Sequence, residues 1–141
     1  MRTIIITGAS GGLAQEMVKL LPHDRLILVG RSKAKLEKLY GKKENLDLVE
    51  LDITDSSALE NFAERIDSQY GRVDVLVNNA GYGIFEEFDK ISSSDIEDMF
   101  EVNTFGLMNL SRIFGTRMKQ EGQGHIVNIV SMAGLIASSK S

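Results

Sequence analysis

Residues 7–14 read Thr-Gly-Ala-Ser-Gly-Gly-Leu-Ala, TGASGGLA, and stand between the apolar run TIII and a segment of helical periodicity. Gly8, Gly11 and Gly12 allow a tight turn and bring main-chain N–H groups close to whatever lies above it. The helix that begins beyond them carries partial positive charge at its start, which suits a diphosphate. The spacing is Gly-x-x-x-Gly-x-Ala from Gly8 to Ala14, not the Gly-x-Gly-x-x-Gly of the standard dinucleotide fingerprint. A glycine-rich connection with no ligand is the competing explanation. Its position after the first strand of a strand–helix–strand unit favours nucleotide binding.

Working outward, the same alternation repeats along the chain. TIIITG, RLILVG, LDLVELD, VDVLVNNAG and HIVNIVS are short runs rich in Ile, Val and Leu, as in strands buried on both faces. Between them, residues 12–21, 33–40, 56–70 and 95–120 have helical spacing. Asp55, Ser56 and Ser57 precede one helix and Ser92, Ser93 and Ser94 another, where N-caps belong, and Gly41, Gly71 and Gly122 or Gly124 stand after helix ends. This pattern predicts an α/β fold: one doubly wound, Rossmann-like parallel sheet in the order 3-2-1-4-5. No linker or repeat divides residues 1–141, so they form one dinucleotide-binding domain.

Composition narrows the partners. The 141 residues carry a net charge of -4 with no basic stripe, which argues against nucleic acid. There is no cysteine, so thiolate metal sites and disulfides are ruled out, and no metal site is expected; a reducing cytoplasm fits. No apolar run is long enough to span a bilayer, and the start of the chain lacks the apolar length of a signal peptide.

Thr7-Gly8-x-x-x-Gly12-x-Ala14 resembles the Thr-Gly-x-x-x-Gly-x-Gly of the short-chain dehydrogenase/reductase family, with Ala14 for the last glycine. The resemblance implies cofactor contacts from Gly8, Ser10, Gly11, Gly12 and Leu13. At the end of the second strand, Gly30 occupies the place of the acidic residue that binds the 2′-hydroxyl of NAD, and Arg31 and Ser32 follow. A guanidinium there suits the 2′-phosphate of NADP, so NADP is expected over NAD; the alternative is that Arg31 caps a surface turn. Asp52, with Ile53 beside it, matches the family's adenine-binding aspartate. Asn78-Asn79-Ala80-Gly81 matches its Asn-Asn-Ala-Gly, in which the amides tie strands together or face the cofactor ribose, and Asn79, Ala80 and Gly81 are expected at the cofactor.

Two candidate catalytic residues follow. Asn103 begins Asn-Thr-Phe-Gly, which resembles the family's Asn-x-x-Gly, whose asparagine holds a water that passes protons to a catalytic lysine. It falls on the apolar side of the 95–120 helix with Ile96, Met99, Phe100, Leu107, Leu110, Ile113, Phe114 and Met118, the side expected against the sheet. Ser131 matches the serine that polarises the substrate carbonyl or hydroxyl. The family's Tyr-x-x-x-Lys belongs just past Ser141, and Tyr40, Tyr70 and Tyr82 do not replace it. The resemblance therefore implies about three fifths of a typical member, inactive alone, without the segments that would cover the fifth strand and the long helix. A non-catalytic dinucleotide-binding or scaffold domain is the alternative. Phe105 and Met108 point away from the sheet side and imply a homo-oligomer through the 95–120 helix; the other partner is a small-molecule substrate.

Overall fold

The computed structural model describes residues 1–79 and 90–129, apart from the side chains of Met99, Val102 and Asn103. The strands are β1 (Thr3–Ile6), β2 (Arg25–Gly30), β3 (Leu46–Glu50), β4 (Val75–Asn78) and β5 (His125–Asn128). They form one sheet in the order β3-β2-β1-β4-β5, every pair parallel. The expected 3-2-1-4-5 order is what forms. The crossover helices are α1 (Gly12–Leu20), α2 (Lys33–Tyr40), α3 (Ser56–Tyr70), α4 (Ser93–Phe100) and α5 (Leu107–Glu121).

Strand residues alternate between two apolar layers, as the period of two requires. Ile5, Ile27, Val29 and Leu76 meet α3 and α5 through Leu59, Phe62, Ile66, Leu110, Ile113 and Phe114. Phe62 and Phe114 pack edge to face with centroids 5.9 Å apart. On the other face, Ile4, Ile6, Leu26, Leu28 and Val77 meet Ala14 of α1 and Leu36 of α2. Each such buried aliphatic side chain contributes about 1.5–3 kcal/mol. An exposed pair such as Lys19–Glu16 adds at most about 1 kcal/mol. The layers hold the fold.

The five runs do not share one burial pattern. β1 and β2 are buried along their lengths, while β3 is half-buried and β5 largely exposed. These two are the outer strands of the described sheet, so they lack one lateral neighbour, and reading every run as buried on both faces overstates them.

Helix starts follow their side chains. Ser32 accepts from Lys35 N–H, Asp55 from Ala58 N–H, and Ser92 with Asp95 closes a capping box. At the other ends Gly41 and Gly71 follow α2 and α3. Gly122, at φ 75°, closes α5.

The helix expected over 95–120 is not continuous. Between α4 and α5 the chain winds as a π-turn over Glu101–Gly106. A π-turn takes up one residue more than an α-turn, which sets the N-terminal half back by about 100°. Leu110, Ile113, Phe114 and Met118 face the core as expected, but Ile96 and Phe100 are 43% and 56% exposed. The extra residue swings them off the sheet side and toward the side of Phe105 and Met108, which are also exposed. Gly106, at the end of this turn, packs closely on Ile53. A Cβ on it would lie 2.7 Å from Ile53 Cγ1 and 3.1 Å from the Ile53 carbonyl oxygen, so only glycine lets the helix come this close to the β3–α3 loop. Among the described residues no helix is long and apolar enough to cross a membrane.

Candidate nucleotide-binding site

The predicted residues at 8–13, 31–32, 52–53 and 79 come to one edge of the sheet, because the strands are parallel and all their C-terminal ends lie there. The turn after β1 is held on both sides. Ala9 N–H donates to Val29 O of β2 at 3.0 Å, and the Tyr40 hydroxyl donates to Ala9 O. On the β4 side, Thr7 N–H donates to Val77 O at 3.1 Å, and Thr7 Oγ1 accepts from Asn79 N–H at 2.9 Å. Asn79 Nδ2 reaches the Gly8 carbonyl at 3.4 Å. Burial of Tyr40 raises its phenol above the usual range, so it stays a neutral donor to the turn at physiological pH. The sequence excludes Tyr40 as the base of a Tyr-x-x-x-Lys pair but does not show this brace, which joins the end of α2 to the first turn.

Two glycines there do different things. Gly8 has φ 61°, the left-handed region, and reverses the chain. Gly12 opens α1, and a Cβ on it would meet nothing within 4 Å. The start of α1 also differs from those of α2, α3 and α4: Gly11 at its N-cap supplies no side-chain acceptor. The first-turn N–H groups, which no intrahelical carbonyl can reach, thus have no side-chain cap. Such a cradle fits a diphosphate. Leu13 is exposed beside it, and Ala14 is fully buried in the α1–sheet contact, where its methyl is accommodated.

Arg31 follows β2 and lines an open groove with Glu50, Leu51, Asp52, Asp55 and Ala58. Ser32 serves as the cap of α2. Asp52 Oδ1 accepts from Thr54 Oγ1 at 2.6 Å and Thr54 N–H at 2.9 Å. The Thr54 hydroxyl, its N–H and the charge of Arg31 hold the Asp52 carboxyl below its ordinary range against the effect of burial, so it is a fixed, ionised acceptor. Asp55, not Asp52, caps α3. Ile53 is buried against Gly106, so its side chain belongs to the core.

At the end of β4, Asn78 is buried and ties strands and helix together. Its Nδ2 donates to Ser111 Oγ at 3.0 Å and to Asn128 Oδ1 at 2.9 Å, and its Oδ1 is enclosed without a donor among the described residues. Ser111 and Asn128 were not singled out from sequence, because nothing local marks partners from three elements. Asn103 lies within the π-turn, a distortion common at functional sites. Its side chain, Ala80, Gly81, Tyr82 and Ser131 lie outside the described residues. The ladder runs on to Ile129, whose N–H donates to Asn78 O at 3.0 Å, two positions before Ser131. Among the described residues no three His, Asp or Glu side chains come together as a metal site.

The sequence pattern of one family, described as short chain dehydrogenase, matches residues 2–140. With its Gly-turn, Asn-Asn-Ala-Gly and parallel 3-2-1-4-5 sheet, this chain belongs to the short-chain dehydrogenase family. It is 32% identical over 133 residues to a 3-ketodihydrosphingosine reductase of Bacteroides thetaiotaomicron, covering 94% of this chain and 48% of that one. It is 30% identical over 135 residues to the NADP-dependent 3-hydroxy acid dehydrogenase YdfG of Escherichia coli, covering 93% and 54%. Among solved structures, serine dehydrogenase from Escherichia coli superposes with a TM-score of 0.84 at 29% identity, covering 96% of this chain and 65% of that one. A closed form of serine dehydrogenase complexed with NADP+ superposes with a TM-score of 0.83. The chain spans about half the length of the relatives it matches.

Proposed function

We propose that this chain supplies the nucleotide-binding unit of an oxidoreductase that moves a hydride between NADP(H) and an alcohol or carbonyl substrate. The observation that carries the reading is the uncapped start of α1, open at Gly12 and clamped between β2 and β4. In this reading Gly8, Ser10, Gly11, Gly12 and Leu13 receive the diphosphate, and Arg31 with Ser32 receives the 2′-phosphate. Asp52 accepts from the adenine amino group, while Ile53 contributes its main chain, its side chain being buried. Asn79, Ala80 and Gly81 line the ribose. The bound nicotinamide supplies the hydride chemistry. Ser131 polarises the substrate oxygen, and Asn103 orders a water in a proton path. That path needs a base of the Tyr-x-x-x-Lys type, which residues 1–141 do not contain, so this polypeptide alone binds cofactor without turnover. The NADP-bound neighbour and the NADP-dependent relative support the choice of cofactor.

Arg31→Ala tests it. NADPH affinity is expected to fall about tenfold or more, the effect of losing one charge-assisted phosphate contact, while NADH affinity changes less than about twofold. Calorimetric titration of both cofactors reads this directly. Equal losses for the two would remove the 2′-phosphate role.

We also infer self-association through the 95–120 region. Phe105 and Met108 are 56% and 60% exposed, and the π-turn brings Ile96 and Phe100 to the same side. Large apolar side chains grouped this way mark an interface. Sedimentation at rising concentration should show a dimer or higher species, and Phe105→Asp should return it to monomer. A monomer throughout would refute the interface.

A further inference from the structure

We infer that Glu50 is a second determinant of cofactor choice, one that opposes the 2′-phosphate; this rests on the NADP reading above. Glu50 ends β3, and its Cα partner across the ladder is Gly30, the residue before Arg31. Its Oε1 accepts from Lys33 N–H, the first residue of α2, at 2.9 Å. Ser32 Oγ takes Lys35 N–H of the same turn at 3.2 Å. The start of α2 next to Arg31 is therefore already supplied with oxygen acceptors, one of them an anion. The start of α1 has no such side-chain acceptor.

The consequence is electrostatic. A 2′-phosphate beside Arg31 enters a groove that Arg31 shares with Glu50, Asp52 and Asp55. The bonds of Asp52 to Thr54 and of Asp55 to Ala58 N–H lie within the segment that follows β3, whereas Glu50 bonds the start of α2. Glu50 is the carboxylate placed at the α2 N–H group that a phosphate would otherwise take. It must yield that N–H or repel the phosphate from it. NADH brings no charge to this spot, and its 2′-hydroxyl can donate to a carboxylate, so Glu50 does not repel it. The preference that Arg31 confers is thereby held below what Arg31 alone would give.

Glu50→Gln separates these effects, because the amide oxygen can still accept from Lys33 N–H and α2 keeps its start. The 141-residue chain and the variant are titrated by calorimetry with NADPH and NADH. Adenosine 2′,5′-bisphosphate and adenosine 5′-monophosphate serve as probes without nicotinamide. Removing one negative charge a few ångströms from a phosphate at a solvated site should tighten NADPH and the bisphosphate about three- to tenfold. NADH and the monophosphate should move less than about twofold, and the gain should shrink with added salt. An unchanged NADPH-to-NADH ratio, or equal weakening of both, overturns the role of Glu50 while leaving the NADP reading intact. Absence of binding by any of the four probes overturns both.

Discussion

Gly12→Val is expected to leave the chain folded and to weaken NADPH binding about 100-fold. The stability half follows from the space around the residue: a Cβ there meets nothing within 4 Å, and the φ angle is not in the left-handed region. Valine is somewhat better than glycine in a helix, so stability should shift by no more than about 0.5 kcal/mol. The binding half follows from the proposed place of the diphosphate at the start of α1. With a diphosphate at that position, an isopropyl group at the first residue of α1 crowds it away from the first-turn N–H groups. Losing charge-assisted bonds worth about 1.5–3 kcal/mol each removes about two orders of magnitude in affinity. Denaturant unfolding and cofactor titration on the same preparation check the two halves together. A stable variant that still binds NADPH like the parent would mean that the diphosphate lies elsewhere.

The second large effect falls on the fold. Gly106→Ala puts a methyl 2.7 Å from Ile53 Cγ1, 2.8 Å from Cδ1 and 3.1 Å from the Ile53 carbonyl. Alanine gains about 1 kcal/mol over glycine in an α-helix, less in a π-turn. Overpacking costs about 1–3 kcal/mol and the backbone contact puts this case toward the upper end. The clash wins, and the urea midpoint should fall at unchanged slope. Gly115→Ala in α5 is the control: its Cβ would meet only the Ile126 Cδ1 at 3.3 Å, an end that can turn aside. Adding Ile53→Ala to Gly106→Ala should destabilise less than the two single changes summed, since the truncated side chain makes room. Strict additivity would show that the contact is not the cause.

Glycines 12 and 106 are both conspicuous in the sequence, one in TGASGGLA and the other in NTFG, yet only the first could be explained there. Gly12 stands in a turn made wholly from neighbouring residues, so its role is local. Gly106 is small because of Ile53, 53 positions away, and no periodicity points to that pairing. The same division runs through the site. Arg31 and Asp52 follow strand ends, where parallel topology puts every C-terminal end together, so the repeat of apolar runs was enough to bring them to one groove; their proposed ligand roles came from the strand-end rule and the family resemblance. The brace of Asn78 on Ser111 and Asn128 joins β4, α5 and β5, and the hydroxyl of Tyr40 crosses from α2 to the first turn. Those partners are set by distance in space.

What the sequence determined by itself was the fold class, the strand order, most helix limits and the edge of the sheet to which the candidate residues come. These follow from short-range rules: apolar runs become buried strands, caps stop helices, and right-handed crossovers order the sheet. What only the tertiary structure decided was the winding between Glu101 and Gly106, and with it which apolar residues of that helix face the core. An α-helical count carried Ile96 and Phe100 to the sheet side. The helix takes one extra residue over Glu101–Gly106, where Gly106 packs on Ile53, and Ile96 and Phe100 before it stand toward solvent. The placement of Glu50 on the start of α2 is of the same kind, since a strand end and a helix start 17 residues apart meet only once β2 and β3 are paired.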